Sequence, residues 1–238
     1  MTRAHNQPQQ QPPRQQPHQQ QRQPQPDDGV LAVVFDWGGV LTTGLDAAFA
    51  QWAASDGVEP EHMAAVLREA FAADSPEHPN AVHALERGDL TGEQFETLLA
   101  RQLAARGSHV PVQGLLARMF ANISPSESML GLAARLKEHG LRTAVLSNSW
   151  ANTYPDEGWD ELFDAVVISG AVGMRKPDPE IYHHVLDLLG VPASRCAFVD
   201  DLGHNVRAAV ELGMVGVHHH SYDETVAELE ALTGRSLR

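Results

Sequence analysis

A carboxylate stands at the end of a strongly strand-like segment. Asp36 follows the apolar run Val33-Val34-Phe35 and precedes the pair Gly38-Gly39. Such a run predicts a buried parallel strand, and the glycines allow the sharp turn that must follow it. Open α/β sheets place their chemistry at the C-terminal ends of their strands. Asp36 could therefore act as a nucleophile or a metal ligand, or it could only cap the next turn.

Three later segments bring further polar groups to strand ends. These are Leu146-Ser147-Asn148, the loop 173–179 with Lys176, and Phe198-Val199-Asp200-Asp201. Ser147 and Asn148 can donate to anionic oxygens, although a Ser-Asn pair is also an ordinary turn. Lys176 can neutralise a phosphoryl group and a carboxylate, or it can be a solvated loop cation. Asp200 and Asp201 repel each other unless a cation lies near them, and oxygen ligands favour Mg²⁺ over a transition metal.

The segments that position these residues alternate between strand and helix patterns. Strands are predicted over 142–146, 165–168, 197–199 and 215–217, with helices after Pro179, Leu202 and Ser221. Another helix is predicted to begin with Ser124 as its N-cap and to end at Gly140. This alternation predicts an α/β fold, a Rossmann-like parallel sheet covered by helices on both faces, with the first strand central. Right-handed crossovers then place all C-terminal strand ends at one edge.

Residues 45–122 carry helical patterns and no strand signal. Helices are predicted over 46–55, 60–73, 80–86 and 111–121, with another that begins at a capping box in Thr91-Gly92-Glu93-Gln94. The segment therefore predicts an all-helical cap domain, inserted between the first two strands of an α/β domain that comprises residues 29–44 and 123–238. The Gln/Pro-rich residues 1–28 are expected to be disordered, because they carry too few apolar side chains to fold.

The composition limits the partners. The 238-residue chain has a formal net charge of −14 at pH 7 and 42% hydrophobic residues. A negative chain without a run of Lys or Arg disfavours binding to nucleic acid or to anionic membranes. No apolar stretch is long enough to span a bilayer and no signal-peptide core is recognisable, so we expect a cytoplasmic protein with no nucleic-acid or membrane partner. The single cysteine, Cys196, is expected to be a buried, inert thiol.

The order of the four motifs resembles that of the haloacid dehalogenase superfamily. The motifs that carry the resemblance are Phe35-Asp36-Trp37-Gly38-Gly39-Val40, Leu146-Ser147-Asn148, Arg175-Lys176-Pro177-Asp178-Pro179 and Phe198-Val199-Asp200-Asp201. The helical insertion is similar to the C1 cap of subfamily IA. The segment Leu85-Glu86-Arg87-Gly88-Asp89-Leu90 is similar to a cap turn of its small-metabolite phosphatases. The first motif resembles the branch that holds sugar-1-phosphate phosphatases and the N-terminal domains of epoxide hydrolases.

The resemblance implies a Mg²⁺-dependent phosphatase of a small phosphorylated metabolite. Asp36 would attack phosphorus to form an aspartyl-phosphate that water then hydrolyses. The implied catalytic residues are Asp36, Ser147 and Lys176. The implied substrate-binding residues are Ser147, Asn148 and Lys176. The implied Mg²⁺ ligands are Asp36, the backbone carbonyl of Gly38 and Asp201, with Asp200 as a supporting neighbour and Asn205 where some relatives carry another acid.

One position departs from the family pattern. Most phosphatases of the family carry a second Asp two residues after the nucleophile, as general acid and base, but this chain has Gly38 there. Such catalysis is worth ~10²–10⁴ in rate, so the loss favours good leaving groups, such as those of sugar 1-phosphates and acyl phosphates. Two other functions stay open. One is a haloacid dehalogenase, which uses the same nucleophile on carbon without Mg²⁺, and the other is a catalytically weak phosphate-binding or regulatory module.

Other side chains are secondary candidates. The triplet His218-His219-His220 is interpreted as a strand-to-loop exit, because neighbouring strand side chains point to opposite faces. Trp37 and Trp150 either wall a substrate pocket or pack between sheet and helix. The helical segment offers His78, His83 and Arg87 for substrate contacts, with a surface position as the simpler interpretation.

Overall fold

The computed structural model describes residues 29–70, 80–151, 154–155 and 157–238, and these form a five-stranded sheet with helices around it. The strands are β1 Ala32–Phe35, β2 Arg142–Ser147, β3 Ala165–Ile168, β4 Cys196–Asp200 and β5 Val215–His218. They pair in parallel in the order β3-β2-β1-β4-β5, which confirms the predicted parallel sheet with the first strand central. The expected disorder of residues 1–28 lies outside the described residues.

Helices cover both faces of the sheet. The helices of the described residues are α1 Leu45–Asp56, α2 Pro60–Ala70, α3 Ala81–Glu86, α4 Gly92–Ala104, α5 Leu115–Phe120, α6 Glu127–Glu138, α7 Trp159–Leu162, α8 Ser169–Val172, α9 Pro179–Leu189, α10 Gly203–Glu211 and α11 Tyr222–Thr233. Val33 and Phe35 of β1 point toward α6 and α11, whereas Ala32 and Val34 point toward α9 and α10. Because both faces of β1 are covered, its residues are apolar without alternation.

The helices between β1 and β2 share an apolar core of their own. Its fully buried members include Trp52, Leu103, Leu115 and Met119. The predicted capping box at the start of α4 is confirmed, since Thr91 and Gln94 exchange side-chain to backbone hydrogen bonds of 2.9 and 3.2 Å. The division at residues 45 and 122 into two domains stays a prediction. None of the helices in the described ranges is long and apolar enough to cross a membrane.

Two predicted helix starts are wrong. Helix α5 begins at Leu115 instead of residue 111, because Gly114 before it adopts φ = +70° and cannot continue a helix backward. Helix α6 begins at Glu127 with Ser126 as N-cap, so Ser124 does not cap it. The Ser124 carbonyl oxygen instead accepts from the Thr43 N–H at 2.8 Å, beside a backbone bridge between Pro125 and Thr42.

Candidate functional site

Asp36 directly follows β1, at the edge of the sheet where the parallel strands end. Its backbone N–H donates to the carbonyl oxygen of Val199 at 2.8 Å, so β4 holds the residue in register. Its side chain is buried, and Oδ1 accepts a hydrogen bond from the Trp37 N–H at 2.7 Å. The chain then turns through Trp37–Leu41, where Gly39 has φ = +80°. The strand and the turn together fix the direction of the carboxylate.

The ammonium group of Lys176 lies between two carboxylates. Its Nζ is 2.8 Å from Asp36 Oδ1 and 2.7 Å from Asp200 Oδ2, and its side chain is 1% exposed. Burial lowers the pKa of Lys176, but Asp200 and Asp36 raise it by more, so the net pKa lies above the ordinary value. Burial raises the pKa of Asp36, an increase that Asp200 and Asp201 add to and Lys176 opposes. Three acids around one lysine favour a further cation.

Asp200 is fully enclosed at the end of β4. Its oxygens accept from Asn205 Nδ2 at 3.1 Å each and from the Leu202 N–H at 2.8 Å, in addition to Lys176. Both carboxylate oxygens are thus engaged, and in this structure Asp200 orients Lys176 and Asn205. The Oδ1 atom of Asn205 is buried and has no hydrogen-bond partner within the described ranges. The role of Asp200 as support for a metal ligand stays a prediction.

Asp201 is the partly exposed acid of the cluster. Burial and the neighbouring Asp200 raise the pKa of Asp201 to about 6. One oxygen from each of Asp36, Asp200 and Asp201 lies within 4.8 Å of the others. Asp201 can approach the turn after β1 because Gly39 lacks a side chain, since a Cβ atom there would collide with Asp201 Oδ2. A close group of carboxylate oxygens fits a hard divalent cation such as Mg²⁺.

The second motif reaches the same edge of the sheet, because β2 is the direct neighbour of β1. Ser147 is buried, and its Oγ is 3.0 Å from the hydroxyl of Tyr154. The side-chain amide of Asn148 is engaged within the protein. It donates to the carbonyl oxygen of Lys176 at 3.0 Å and accepts from the Lys176 N–H at 2.8 Å. The Asn148 side chain therefore positions the lysine, and its contact with substrate stays a prediction.

The two tryptophans next to the motifs pack into apolar clusters. Trp37 lies against Tyr154 and Trp159, with ring centroids 6.0 and 4.9 Å away. Trp150 follows the second motif and inserts among aromatic rings of the helical segment, namely Phe49, Phe95 and Phe120. Of the two interpretations left open for these residues, the structure favours packing.

The histidine candidates take different places. His218 Nε2 is 2.9 Å from the carbonyl oxygen of Asp201, while His219 Nδ1 is 2.8 Å from Thr225 Oγ1. These neighbours thus point to different partners, as alternation along a strand requires. His83 is buried in α3, and Arg87 Nε pairs with Asp89 at 3.0 Å. His78 lies outside the described residues.

Three residues around the site received no role from the sequence. Tyr154 lies in a segment without periodicity, and nothing in its pattern indicates that its hydroxyl meets Ser147. Glu86 and Arg175 form a buried ion pair of 2.7 Å between Oε2 and Nε, although 89 positions separate them. Both residues lie inside motifs that carry the family resemblance, and this position is the one sign in the sequence that they belong near the site.

Comparisons with known proteins give one matching family model and several similar proteins. A family model for haloacid dehalogenase-like hydrolases matches residues 30–213. The chain is 29% identical over 185 residues to bifunctional epoxide hydrolase 2 of Mus musculus, which covers 69% of this chain and 32% of that protein. It is 33% identical over 154 residues to sesquiterpene phosphatase astK of Aspergillus oryzae, with 63% and 77% covered. The chain thus spans about a third of the length of the mouse epoxide hydrolase.

Solved structures share the fold. A haloacid dehalogenase family enzyme from Bacteroides thetaiotaomicron, solved as an Asp-to-Ala variant with magnesium and inorganic phosphate, matches with TM-score 0.60 at 20% identity, over 81% of this chain and 95% of that chain. The L-2-haloacid dehalogenase from Xanthobacter autotrophicus matches with TM-score 0.56 at 22% identity, over 87% of this chain and 89% of that chain. At these identities the likeness concerns the fold alone.

Proposed function

The chain belongs to the haloacid dehalogenase-like hydrolases, and from that membership and the site geometry we propose that it is a Mg²⁺-dependent phosphatase of a small phosphorylated metabolite. The observation that carries the proposal is Lys176, buried between Asp36 and Asp200, with Asp201 completing a group of three acids. A lone lysine cannot neutralise three carboxylates and a phosphoryl group, so the cluster needs a second cation. Residues 45–122 would form the cap that covers this edge.

In the proposed reaction, a carboxylate oxygen of Asp36 forms a bond to phosphorus while the ester bond to the leaving group breaks. The Trp37 N–H and Lys176 hold Oδ1 of Asp36, so the carboxylate is oriented before substrate arrives. Water then attacks the phosphorus of the aspartyl-phosphate and releases phosphate and Asp36. Lys176 would balance the negative charge of the phosphoryl oxygens, and the Ser147 hydroxyl would hold them by a hydrogen bond.

Mg²⁺, when bound by Asp36, Asp201 and the carbonyl oxygen of Gly38, would supply positive charge to the phosphoryl group. The names of the relatives support a phosphate ester as substrate. One is called a sesquiterpene phosphatase, and another, 30% identical over 158 residues that cover 65% of this chain and 63% of that protein, is flavin mononucleotide hydrolase 1 of Arabidopsis thaliana. The Bacteroides enzyme was solved with magnesium and phosphate in place.

A panel of phosphate esters tests the proposal directly. Purified protein is expected to release phosphate from at least one sugar, nucleotide or acyl phosphate with Mg²⁺, and EDTA should abolish the release because the acid cluster then lacks its cation. Phosphate would be measured colorimetrically beside halide release from 2-haloacids. Halide release that is indifferent to EDTA would overturn the phosphatase proposal in favour of a dehalogenase. Mg²⁺ binding without turnover of any ester would overturn it in favour of a phosphate-binding module.

The glycine at position 38 predicts a restriction on the leaving group. Without an acid there, the leaving group must depart as an oxyanion or take a proton from water. Acyl phosphates and sugar 1-phosphates, whose leaving groups are better than simple alcohols, are therefore the proposed substrate class. This finer assignment rests on Gly38 alone.

Restoring an acid at this position gives a second prediction. Gly38 has φ = −70°, which any residue can adopt, and an added Cβ would be 3.3 Å from the flexible end of Leu45. Gly38→Asp is expected to raise kcat/KM for a simple alkyl phosphate by at least about 10-fold, and to change acetyl phosphate hydrolysis much less. Gly38→Asn is the matched control, since it has the same size but no proton to donate. An equal gain in both variants would contradict proton donation as the cause.

A further inference from the structure

Glu86 joins the helical segment to the sheet through an unusual set of contacts. The residue ends α3 and is 5% exposed. Its Oε2 accepts from Arg175 Nε at 2.7 Å, and its Oε1 accepts from Trp150 Nε1 at 3.0 Å. Its carbonyl oxygen accepts from Ser169 Oγ at 2.6 Å. All three partners lie outside residues 45–122. Glu86 therefore connects the helical segment to three separate segments that follow strands of the sheet.

Two of these partners are next to site residues. Arg175 directly precedes Lys176, whose ammonium group lies between the buried carboxylates. Trp150 lies two residues after Asn148. The Asn148 side chain in turn forms hydrogen bonds with the backbone N–H and the carbonyl oxygen of Lys176. The two loops that carry the second and third motifs are therefore tied to each other by Asn148 and to the helical segment by Glu86.

The helical segment packs closely against the sheet around Glu86. Ser169 Oγ donates to Glu86 and accepts from the Ser149 N–H at 2.8 Å, so a third connection runs back to the second motif. At Gly88, where φ is +79°, an added Cβ would be 2.8 Å from the carbonyl oxygen of Gly170, so the two backbones meet closely. Moving the helical segment away from the sheet would break the buried ion pair between Glu86 and Arg175.

We propose that Glu86 is a positioning residue, which fixes Lys176 through Arg175 and the second motif through Trp150 when the helical segment is seated. Without the ion pair, the loops at 147–151 and 173–176 lose a common anchor, and the lysine is held less precisely over Asp36. The kinetic part of this inference rests on the proposed phosphatase function, whereas the structural part does not.

Hydrogen–deuterium exchange and kinetics of Glu86→Gln test the proposal. The amide keeps the shape of the side chain but cannot form the ion pair. We expect faster exchange in peptides that cover 147–151 and 173–176, and a fall in kcat of about 10-fold with KM changed less, because misplaced catalytic groups mainly slow the chemical step. Trp150→Phe removes one donor to Glu86 and also reduces the ring that packs against Phe49, Phe95 and Phe120, and it provides a second variant in which the same two loops are expected to exchange faster.

The chain offers a closely matched control. Asp56 accepts from Trp52 Nε1 at 3.1 Å and from Arg118 Nε at 2.8 Å, the same pair of donor types, but entirely within the helical segment. Asp56→Asn is expected to lower Tm without changing exchange at 147–151 and 173–176 and without changing kcat. The proposal is overturned if Glu86→Gln only lowers Tm, or if both variants change the two loops alike. Exchange is measured without substrate, so a failed phosphatase assay leaves this result readable.

Discussion

Replacing Asp36 with Asn is expected to reduce Mg²⁺-dependent phosphate release by at least about 10³-fold, because an amide is a poor nucleophile toward phosphorus. The effect should fall on kcat, since Lys176 and Ser147 remain to bind the phosphoryl group. The geometry adds a reason specific to this chain. The Asp36 carboxylate is already oriented by the Trp37 N–H and by Lys176, so the substitution removes a nucleophile that is in place before substrate binds.

The same substitution is expected to leave the fold at least as stable in EDTA. Burial holds the pKa of Asp36 above its ordinary value, so the folded protein binds this proton more tightly than the unfolded chain does. Such a carboxyl lowers the free energy of unfolding as pH rises above its unfolded pKa of about 4. Asn cannot ionise and avoids this cost, while Lys176 keeps its contact with Asp200. The advantage of the variant should therefore be larger at pH 7.5 than at pH 4.5.

Urea unfolding at both pH values, beside phosphate release, measures the two effects. Asp187→Asn is the control, because Asp187 is an exposed carboxyl on α9 and its substitution should change activity and stability little. An Asp36→Asn protein that keeps its phosphatase activity would contradict the nucleophile assignment. One that unfolds at lower urea than the wild type at pH 7.5 in EDTA would contradict the electrostatic argument.

The sheet could be predicted because its signal is local. Each strand is a short apolar run, and alternation with helices leaves few arrangements other than a parallel sheet with crossovers on both faces. The helix starts at Leu115 and Glu127 could not be placed as easily. The Gly114 N–H donates to Glu96 and the Ser124 carbonyl oxygen accepts from Thr43, and contacts between residues so far apart in the chain leave no local signal in the sequence.

Part of the site could be predicted for the same reason. The rule that parallel strands end at one edge is enough to bring Asp36, Asp200 and Asp201 together, and the structure places their oxygens within 4.8 Å. The rule says nothing about which way a side chain turns after the strand ends. The hydrogen bonds between the Asn148 amide and the backbone of Lys176, and the ion pair between Glu86 and Arg175, therefore could not be predicted from the strand pattern.

Replacing Lys176 with Met is expected to lower the free energy of unfolding in EDTA by about 3–5 kcal/mol, the usual cost of removing one partner of a buried ion pair. Met keeps the unbranched stem, so its packing near Phe198 is preserved and the loss is mainly one of charge. The pKa of Lys176 is raised on folding, so the lysine itself stays charged in the folded and unfolded chain at pH 5 and at pH 8, and any change of the deficit between these pH values comes from the acids.

The deficit should shrink in acid, which separates charge from packing. Without Lys176, the buried carboxylate of Asp36 lies near Asp200 and Asp201 with no compensating lysine charge, and Asp36 loses this repulsion when it takes up a proton. Urea unfolding of Lys176→Met is therefore expected to show a smaller difference from the wild type at pH 5 than at pH 8. Lys137→Met is the control, because that lysine is 3.4 Å from Asp164 at the surface and its pair is worth about 0–1 kcal/mol. A deficit independent of pH would show that lost packing, and not the uncompensated acids, destabilises the variant.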